Sequence, residues 1–481
     1  MLKVKFRRIV IYSTLFLFLA LVWKFVFTPT HPKNLLLISI DTLRPDHMGV
    51  YGYGKDTTPN IDKWAKSAAV FTNAATAVPM THPSRAALFT GKDPAKTRII
   101  SNSGLLVSEN NKTLTSILAQ NGFFTAGYST IGSALDQGFE VFNTHEFKSF
   151  YYNGAKAEYN ERFTMTERAD YEKFILSSAD ILKSSKDGGR FFLWVHLVDP
   201  HAPYFAPGGL RCKFNSKFCD EISGKNLEEL EELRAQYQSC QNNPVPQDRI
   251  ELMEALYDGE VAAADRLVGK ILDNLKELGL DKNTLVVLYG DHGEGFDHNY
   301  YFNHRQVLYD SSIKIPLIIF DPAKGRSGEK SDVLIQDVDI LPTILDFLGI
   351  DYKKGSFDGK SFAGQFGKFS KIIPAPRKRA IFANSYFSKF AIVRDNLKYI
   401  YSLPQSCLLE SWHEELYDLV ADPNETKNLA GERTKELGKL RDDLLEYLSD
   451  YNLPIEWKSN EVPGQFSTED DSAGDLRSIG Y

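Results

Sequence analysis

Leu35-Leu36-Leu37-Ile38-Ser39-Ile40 runs straight into Asp41. An apolar run without polar alternation predicts a strand buried on both faces, the environment of an inner strand of a parallel sheet. Similar runs lie at 191–195, 285–288 and 317–320. Between them, apolar residues recur at helical spacing over 61–69, 114–120, 172–182 and, at length, 250–278. Strand–helix alternation predicts an α/β domain with a central sheet flanked by helices.

Polar residues follow these strands. Asp41 follows the first, His196 and Asp199 the second, and Asp291-His292 the third. In open α/β sheets ligands gather at the carboxyl ends of the strands. Each residue also has an ordinary use: Asp41 could cap a turn, and Asp291-His292-Gly293 could be a plain turn. Three equivalent strand ends bearing such groups point to a site.

Thr81-His82-Pro83-Ser84-Arg85 opens a further helical stretch, with Pro83 and Ser84 suited to its first turn. A helix N-terminus offers free N–H groups and a positive dipole end to an anion, and Arg85 adds a planar fork for its oxygens. A threonine hydroxyl is a weak nucleophile at neutral pH, but a divalent cation on its oxygen lowers its pKa. Two carboxylates and an imidazole make a mixed O/N donor set. That set suits Mn, Zn or Mg better than an all-oxygen calcium cage, with Ca also open.

The chain has 481 residues, 43% of them hydrophobic and 25% charged, and a net charge of −7. These values describe a globular protein and no nucleic-acid partner. Lys3, Lys5, Arg7 and Arg8 precede an apolar run over 9–23 that resumes after Lys24. A span needs about 20 apolar residues, reached here if Lys24 snorkels. The expectation is an uncleaved transmembrane signal anchor over 1–30 with its basic flank in the cytoplasm. The chain would then be a single-pass protein of the cytoplasmic membrane, its catalytic domain extracytoplasmic (periplasmic). A cleaved signal peptide is the alternative, but no small-x-small site follows the run.

The catalytic α/β domain is expected over 31–355, with an insertion at about 204–248. That insertion holds Cys212, Cys219 and Cys240, three of the four cysteines, and an acidic helical stretch. A disulfide staple within it is expected; no CxxC spacing suggests zinc or redox chemistry. Residues 356–481 are expected to form a smaller C-terminal α+β subdomain and tail, with short strands near 379–384, 391–394 and 399–402 and a helix over 434–448.

Thr81-x-Pro83-Ser84-Arg85 followed by Leu88 and Thr90-Gly91 resembles the sulfatase signature, Cys/Ser-x-Pro-Ser-Arg with a following Leu and Thr-Gly. Asp41-Thr42-Leu43-Arg44-Pro45-Asp46-His47, Asp199-Pro200-His201, Tyr257-Asp258-Gly259-Glu260 and Asp291-His292-Gly293-Glu294 match the same family in order. The resemblance, to membrane-anchored bacterial sulfatase-like proteins of the sulfatase/alkaline-phosphatase superfamily, runs from about Asn34 to the end. It implies an alkaline-phosphatase-like central sheet, mixed but mostly parallel. It implies one divalent metal on Asp41, Asp291, His292 and Thr81, with no other cofactor. Arg85 would hold Thr81 and the substrate oxyanion, and His201 and His304 would contact the transferred group or the leaving oxygen. His196 joins Arg85, His201 and His304 as a substrate-binding candidate.

Three departures matter. Thr81 stands where the family has the Cys or Ser that becomes formylglycine; threonine cannot form that aldehyde, so no formylglycine is expected. Thr42 replaces the second Asp of the usual pair, removing one ligand. His82 is bulkier than the residue often found there. The expected function is a metal-dependent hydrolase of sulfate or phosphate esters, with Thr81 as nucleophile and an anionic ester, envelope glycan or lipid, as substrate. The alternatives are a phosphoethanolamine/glycerophosphate-type phosphotransferase modifying envelope glycans or lipids, and a non-catalytic glycan-binding pseudoenzyme.

Overall fold

The computed structural model describes residues 31–449 apart from 98, 100–101, 103–111, 130–134, 145–160, 186–187, 224, 226, 238, 241–244, 323–327, 366–379, 386–387 and 404–412. Its centre is a nine-stranded sheet. The expected run forms β1 (Asn34–Ile40), every residue of which is buried. The other main strands are β2 (Ala69–Ala75), β3 (Phe123–Ser129), β4 (Val141–Thr144), β5 (Arg190–Leu197), β6 (Thr284–Gly290) and β7 (Lys314–Phe320). Their spatial order is β2-β7-β6-β1-β5-β3-β4, with the short pieces Lys330–Ser331 and Ile335–Gln336 on the outer edge of β2. Strands β6, β1, β5, β3 and β4 are mutually parallel. Strand β7 is antiparallel to both β6 and β2. The expected mixed, mostly parallel sheet is therefore present.

Burial on both faces explains why the inner strands lack polar alternation. Leu36, Ile38 and Ile40 enter one core and Leu35 and Leu37 the other. The first core lies under α5 (Gln247–Glu277), preceded in the chain by α1 (Pro59–Ala65), α2 (Thr81–Thr90), α3 (Leu114–Gln120) and α4 (Glu161–Ser177). The second core is closed by Ala86, Leu88 and Phe89 of α2 and by Ile340, Leu341, Ile344 and Leu345 of α6 (Ile340–Phe347). Full burial of each such side chain is worth about 1.5–3 kcal/mol.

A four-stranded antiparallel sheet follows: β8 (Ala380–Ser385), β9 (Lys389–Arg394), β10 (Leu397–Ser402) and β11 (His413–Asp418). Helix α7 (Thr434–Ser449) packs Leu437, Leu440, Leu444 and Leu448 against it. Lys398, fully buried, ties this sheet to the main domain through Asp310 and pairs within its own subdomain with Glu425 at 2.8 Å. In the expected insertion, Cys212 and Cys219 form a disulfide.

The anchor expected over 1–30 and the tail after 449 lie outside the described residues. Among the described residues no helix is long and apolar enough to cross a membrane; even the 31-residue α5 carries charge along its length. The single-pass placement in the cytoplasmic membrane, with a periplasmic catalytic domain and a membrane partner, is accordingly withdrawn.

Candidate active site

Three neighbouring parallel strands, β6, β1 and β5, end together, and adjacent strands lie about 4.8 Å apart. Asp41 directly follows β1, its N–H donating to the Leu197 carbonyl of β5. Asp291 directly follows β6, its N–H donating to the Ile40 carbonyl. His196 lies beside Ser39 in the β1–β5 register. The ladder thus delivers two carboxylates and an imidazole to one point. One donor atom from each of Asp41, His196 and Asp291 lies within 4.8 Å of the other two.

Helix α2 approaches from the side. Its first turn is pinned by Ser84, whose hydroxyl donates to the Asp291 carbonyl at 2.7 Å. This puts Thr81 Oγ1 3.3 Å from His292 Nε2. His292 Nδ1 is 3.0 Å from the Gly293 carbonyl, which only accepts, so Nδ1 carries the proton and Nε2 presents its lone pair. Gly293 is required here, because an added Cβ would overlap the Ser311 carbonyl. Arg85, one turn into α2, donates its Nε–H to the Thr81 carbonyl at 3.2 Å. Its two terminal nitrogens are buried without a hydrogen-bond partner among the described residues. A buried guanidinium so placed is costly unless an anion completes it.

The carboxylates face the complementary deficit. Both oxygens of Asp41, Oδ2 of Asp291 and Nε2 of His196 are buried without hydrogen-bond partners among the described residues. Asp291 Oδ1 is filled by the N–H groups of Thr42 and His292, at 3.2 and 2.8 Å. Asp41 Oδ1 faces His292 at 3.5 Å and Oδ2 faces His196 at 3.6 Å. Burial, then the Asp291 charge, raises the Asp41 carboxyl well above the usual range. Burial raises Asp291 as well, against the opposing pull of His292 and Arg85. Burial and then Arg85 hold His196 neutral. Acceptor atoms converging without donors are what a divalent cation satisfies, so this donor set fits one.

The remaining expected residues gather on the far side. The His304 ring lies 4.2 Å from His292 and the His201 ring 5.5 Å from His304. His201 Nδ1–H donates to the Ala202 carbonyl at 2.6 Å, leaving Nε2 as its acceptor. Burial, then His304, lowers His201 to about 3; burial, then His292, lowers His304 as well.

All of the expected site residues therefore converge. The readings from the chain alone assigned no role to Glu294, Tyr204 or Arg168. Glu294 sits 3.3 Å from His304 Nδ1 and accepts the Tyr204 hydroxyl at 3.0 Å. Arg168 of α4 donates to both oxygens of Asp199 at 2.7 Å and to Glu260 at 3.0 Å. It thereby anchors the turn in which the His201 N–H donates to the Val198 carbonyl. Glu294 was legible as part of Asp291-His292-Gly293-Glu294; Arg168 carries no local signal.

Two carboxylates share the one Arg168 cation, and burial pushes Glu260 up to about 8. The folded state then holds a proton that the unfolded chain releases above its ordinary 4.5. Stability from this group falls as pH rises from about 4.5 to about 8. Glu260→Gln should flatten that part of the stability profile, a change that thermal melts across the range will register.

The sulfatase family model matches residues 33–350, and a model for the C-terminal part of N-sulphoglucosamine sulphohydrolase matches 297–452. The chain belongs to the sulfatase family. An arylsulfatase of Clostridium perfringens is 25% identical, over 82% of this chain and 90% of its own. A delta 4,5-hexuronate-2-O-sulfatase of Bacteroides thetaiotaomicron is also 25% identical, over 82% and 84%. The crystal structure of the phosphonate monoester hydrolase of Agrobacterium radiobacter superposes with a TM-score of 0.67 at 18% identity, covering 87% of this chain and 96% of its own. This sulfatase is thus a sulfuric-ester hydrolase by family, and its relatives favour neither phospho-headgroup transfer nor a pseudoenzyme.

Proposed function

We propose that this sulfatase cleaves sulfate esters of a saccharide by direct attack of Thr81 Oγ1 on sulfur, with a divalent metal bound by Asp41, Asp291, His292 and Thr81. The observation that carries the reading is Thr81 Oγ1 on the His292 Nε2 lone pair, at the start of a helix in which the terminal nitrogens of Arg85 are buried without a hydrogen-bond partner among the described residues. The sugar sulfatase from Bacteroides thetaiotaomicron among the relatives supports the saccharide class.

The cation, when bound, lowers the pKa of the Thr81 hydroxyl and draws charge from the sulfuryl oxygens. Arg85, whose terminal nitrogens have no hydrogen-bond partner among the described residues, holds those oxygens. Thr81 Oγ1, its proton released to solvent, forms a bond to sulfur as the ester S–O bond breaks, and the departing alkoxide takes a proton. His201 is the donor on that side. Burial keeps it neutral in the free pocket; the negative charge of a bound ester raises its affinity for a proton, which Nε2 takes from solvent and passes to the leaving oxygen. The sulfothreonine that results is hydrolysed by a second attack at sulfur, with water as nucleophile. His304, its Nδ1 directed to Glu294, accepts one proton from that water and returns it to the Thr81 oxygen as the S–O bond breaks, so sulfate leaves with the Thr81 hydroxyl restored.

Mass spectrometry of the Thr81 peptide, quenched during turnover of an activated aryl sulfate, tests the reading. An added mass of one sulfuryl group on Thr81 is the expected result. Sustained turnover with the peptide never modified would exclude the covalent route.

A further inference from the structure

We propose that His196 is itself a ligand of the divalent cation, filling the place left by the carboxylate missing at Thr42, and that it tunes the site toward a borderline ion such as zinc or manganese. The inference rests on the metal-dependent reading above and extends it to a residue first taken to touch substrate.

Thr42 is fully buried, and its side chain brings a neutral hydroxyl where the family pattern has a second acid. With one negative ligand lost, Asp41 and Asp291 alone would leave a cation short of donors. The gap is filled from β5. His196 is fully buried at the strand end, and its Nε2 lies 3.6 Å from Asp41 Oδ2 without a hydrogen-bond partner among the described residues. The oxygen it faces, Oδ2, is the one turned away from His292, which lies by Oδ1. A cation seated on Asp41 would therefore find an imidazole on each side.

The ring is also held in place by a partner that accommodates the tautomer ligation needs. Ser39 Oγ lies 2.8 Å from His196 Nδ1 and accepts the Trp194 indole N–H at 2.9 Å. A hydroxyl oxygen has two lone pairs. One takes the indole proton; the other can take a proton from Nδ1, the tautomer that leaves the Nε2 lone pair facing Asp41. A hydrogen-bond acceptor behind a ligating histidine is the arrangement by which proteins orient such rings, and Ser39 Oγ takes that place here. The donor set becomes two carboxylates, two imidazoles and the Thr81 hydroxyl, which favours borderline ions over calcium with its preference for oxygen.

Calorimetric titration of the full chain, stripped with chelator, with Zn, Mn and Ca salts in turn provides the test. His196→Ala should weaken Zn and Mn binding by on the order of 100-fold or more, since loss of even a supporting residue costs about 10- to 100-fold. Calcium binding should change far less. Thr42→Asp in the His196→Ala background should restore binding, now with calcium preferred. If His196→Ala binds Zn and Mn as the parent does while Asp41→Asn does not, the metal reading stands and the role of His196 is overturned. If the unmodified chain takes up none of the three ions, both fall. Circular dichroism checks folding of each variant. Should His196→Ala fail to fold, Ser39→Ala decides, because it leaves every ligand in place. A loss of about 10-fold in Zn affinity supports the proposal, and unchanged affinity overturns it.

Discussion

Thr81→Ala should lower kcat on an aryl sulfate by at least ~10⁴-fold while leaving the fold in place, with metal affinity reduced by the loss of one ligand. Losing the nucleophile of a covalent mechanism typically costs this much or more, and the remaining rate comes from binding and charge stabilisation alone. The fold should tolerate the change because Thr81 is the first residue of α2, and the Ser84 bond to the Asp291 carbonyl still pins that helix. Thr81→Ser keeps the hydroxyl 3.3 Å from His292 and should retain activity within about tenfold. Thr81→Val, which keeps shape and removes the oxygen, should resemble alanine. Steady-state sulfate release by the three variants separates loss of the nucleophile from disturbance of the helix end. Near-parental turnover by Thr81→Ala would remove threonine from the chemistry.

Asp41→Asn should abolish turnover and, in chelator, make the protein more stable than its parent. Asp41 is completely buried beside Asp291, with neither oxygen hydrogen-bonded among the described residues. In the metal-free protein it is a buried charge facing a like charge, and its neutral isostere relieves that penalty. A gain of about 1 kcal/mol corresponds to a few degrees or less in Tm for a protein of this size. Metal should reverse the order. At a concentration of ~100 Kd the parent gains about 2.7 kcal/mol from binding, and the variant should gain almost none. Thermal melts with and without metal thus read the same residue twice. A metal-induced shift in Asp41→Asn equal to that of the parent would show that Asp41 is not a ligand.

The comparison of chain and fold follows from where the information lies. Four of the labelled strands escaped prediction, β2, β3, β4 and β11; of these β3, Phe123–Ser129, mixes Gly and Ser with its aromatics, and β2, Ala69–Ala75, is alanine-rich and continues from a helical pattern. Neither has the β-branched density that marks an inner strand. The Asp291-His292 turn, the Thr81 helix end and the strand-end Asp41 were legible because each is local, a strand or helix boundary bearing a reactive group.

Arg168 was not legible, because its partners Asp199 and Glu260 lie 31 and 92 residues away and no spacing rule connects them. His196 was visible as a residue, but its partners were not. A strand turns successive side chains to opposite faces, and only the pairing of β5 with β1 in the observed register sets His196 beside Ser39 and against Asp41.

The chain by itself determined the doubly covered sheet, since its inner runs have no polar face to offer water, and it marked the helix that begins at Thr81. Tertiary structure alone decided which imidazoles flank Asp41 and which cation holds the His201 turn. Those choices depend on strand register and helix packing between distant segments, where the energy comes from contacts that no neighbouring residues specify.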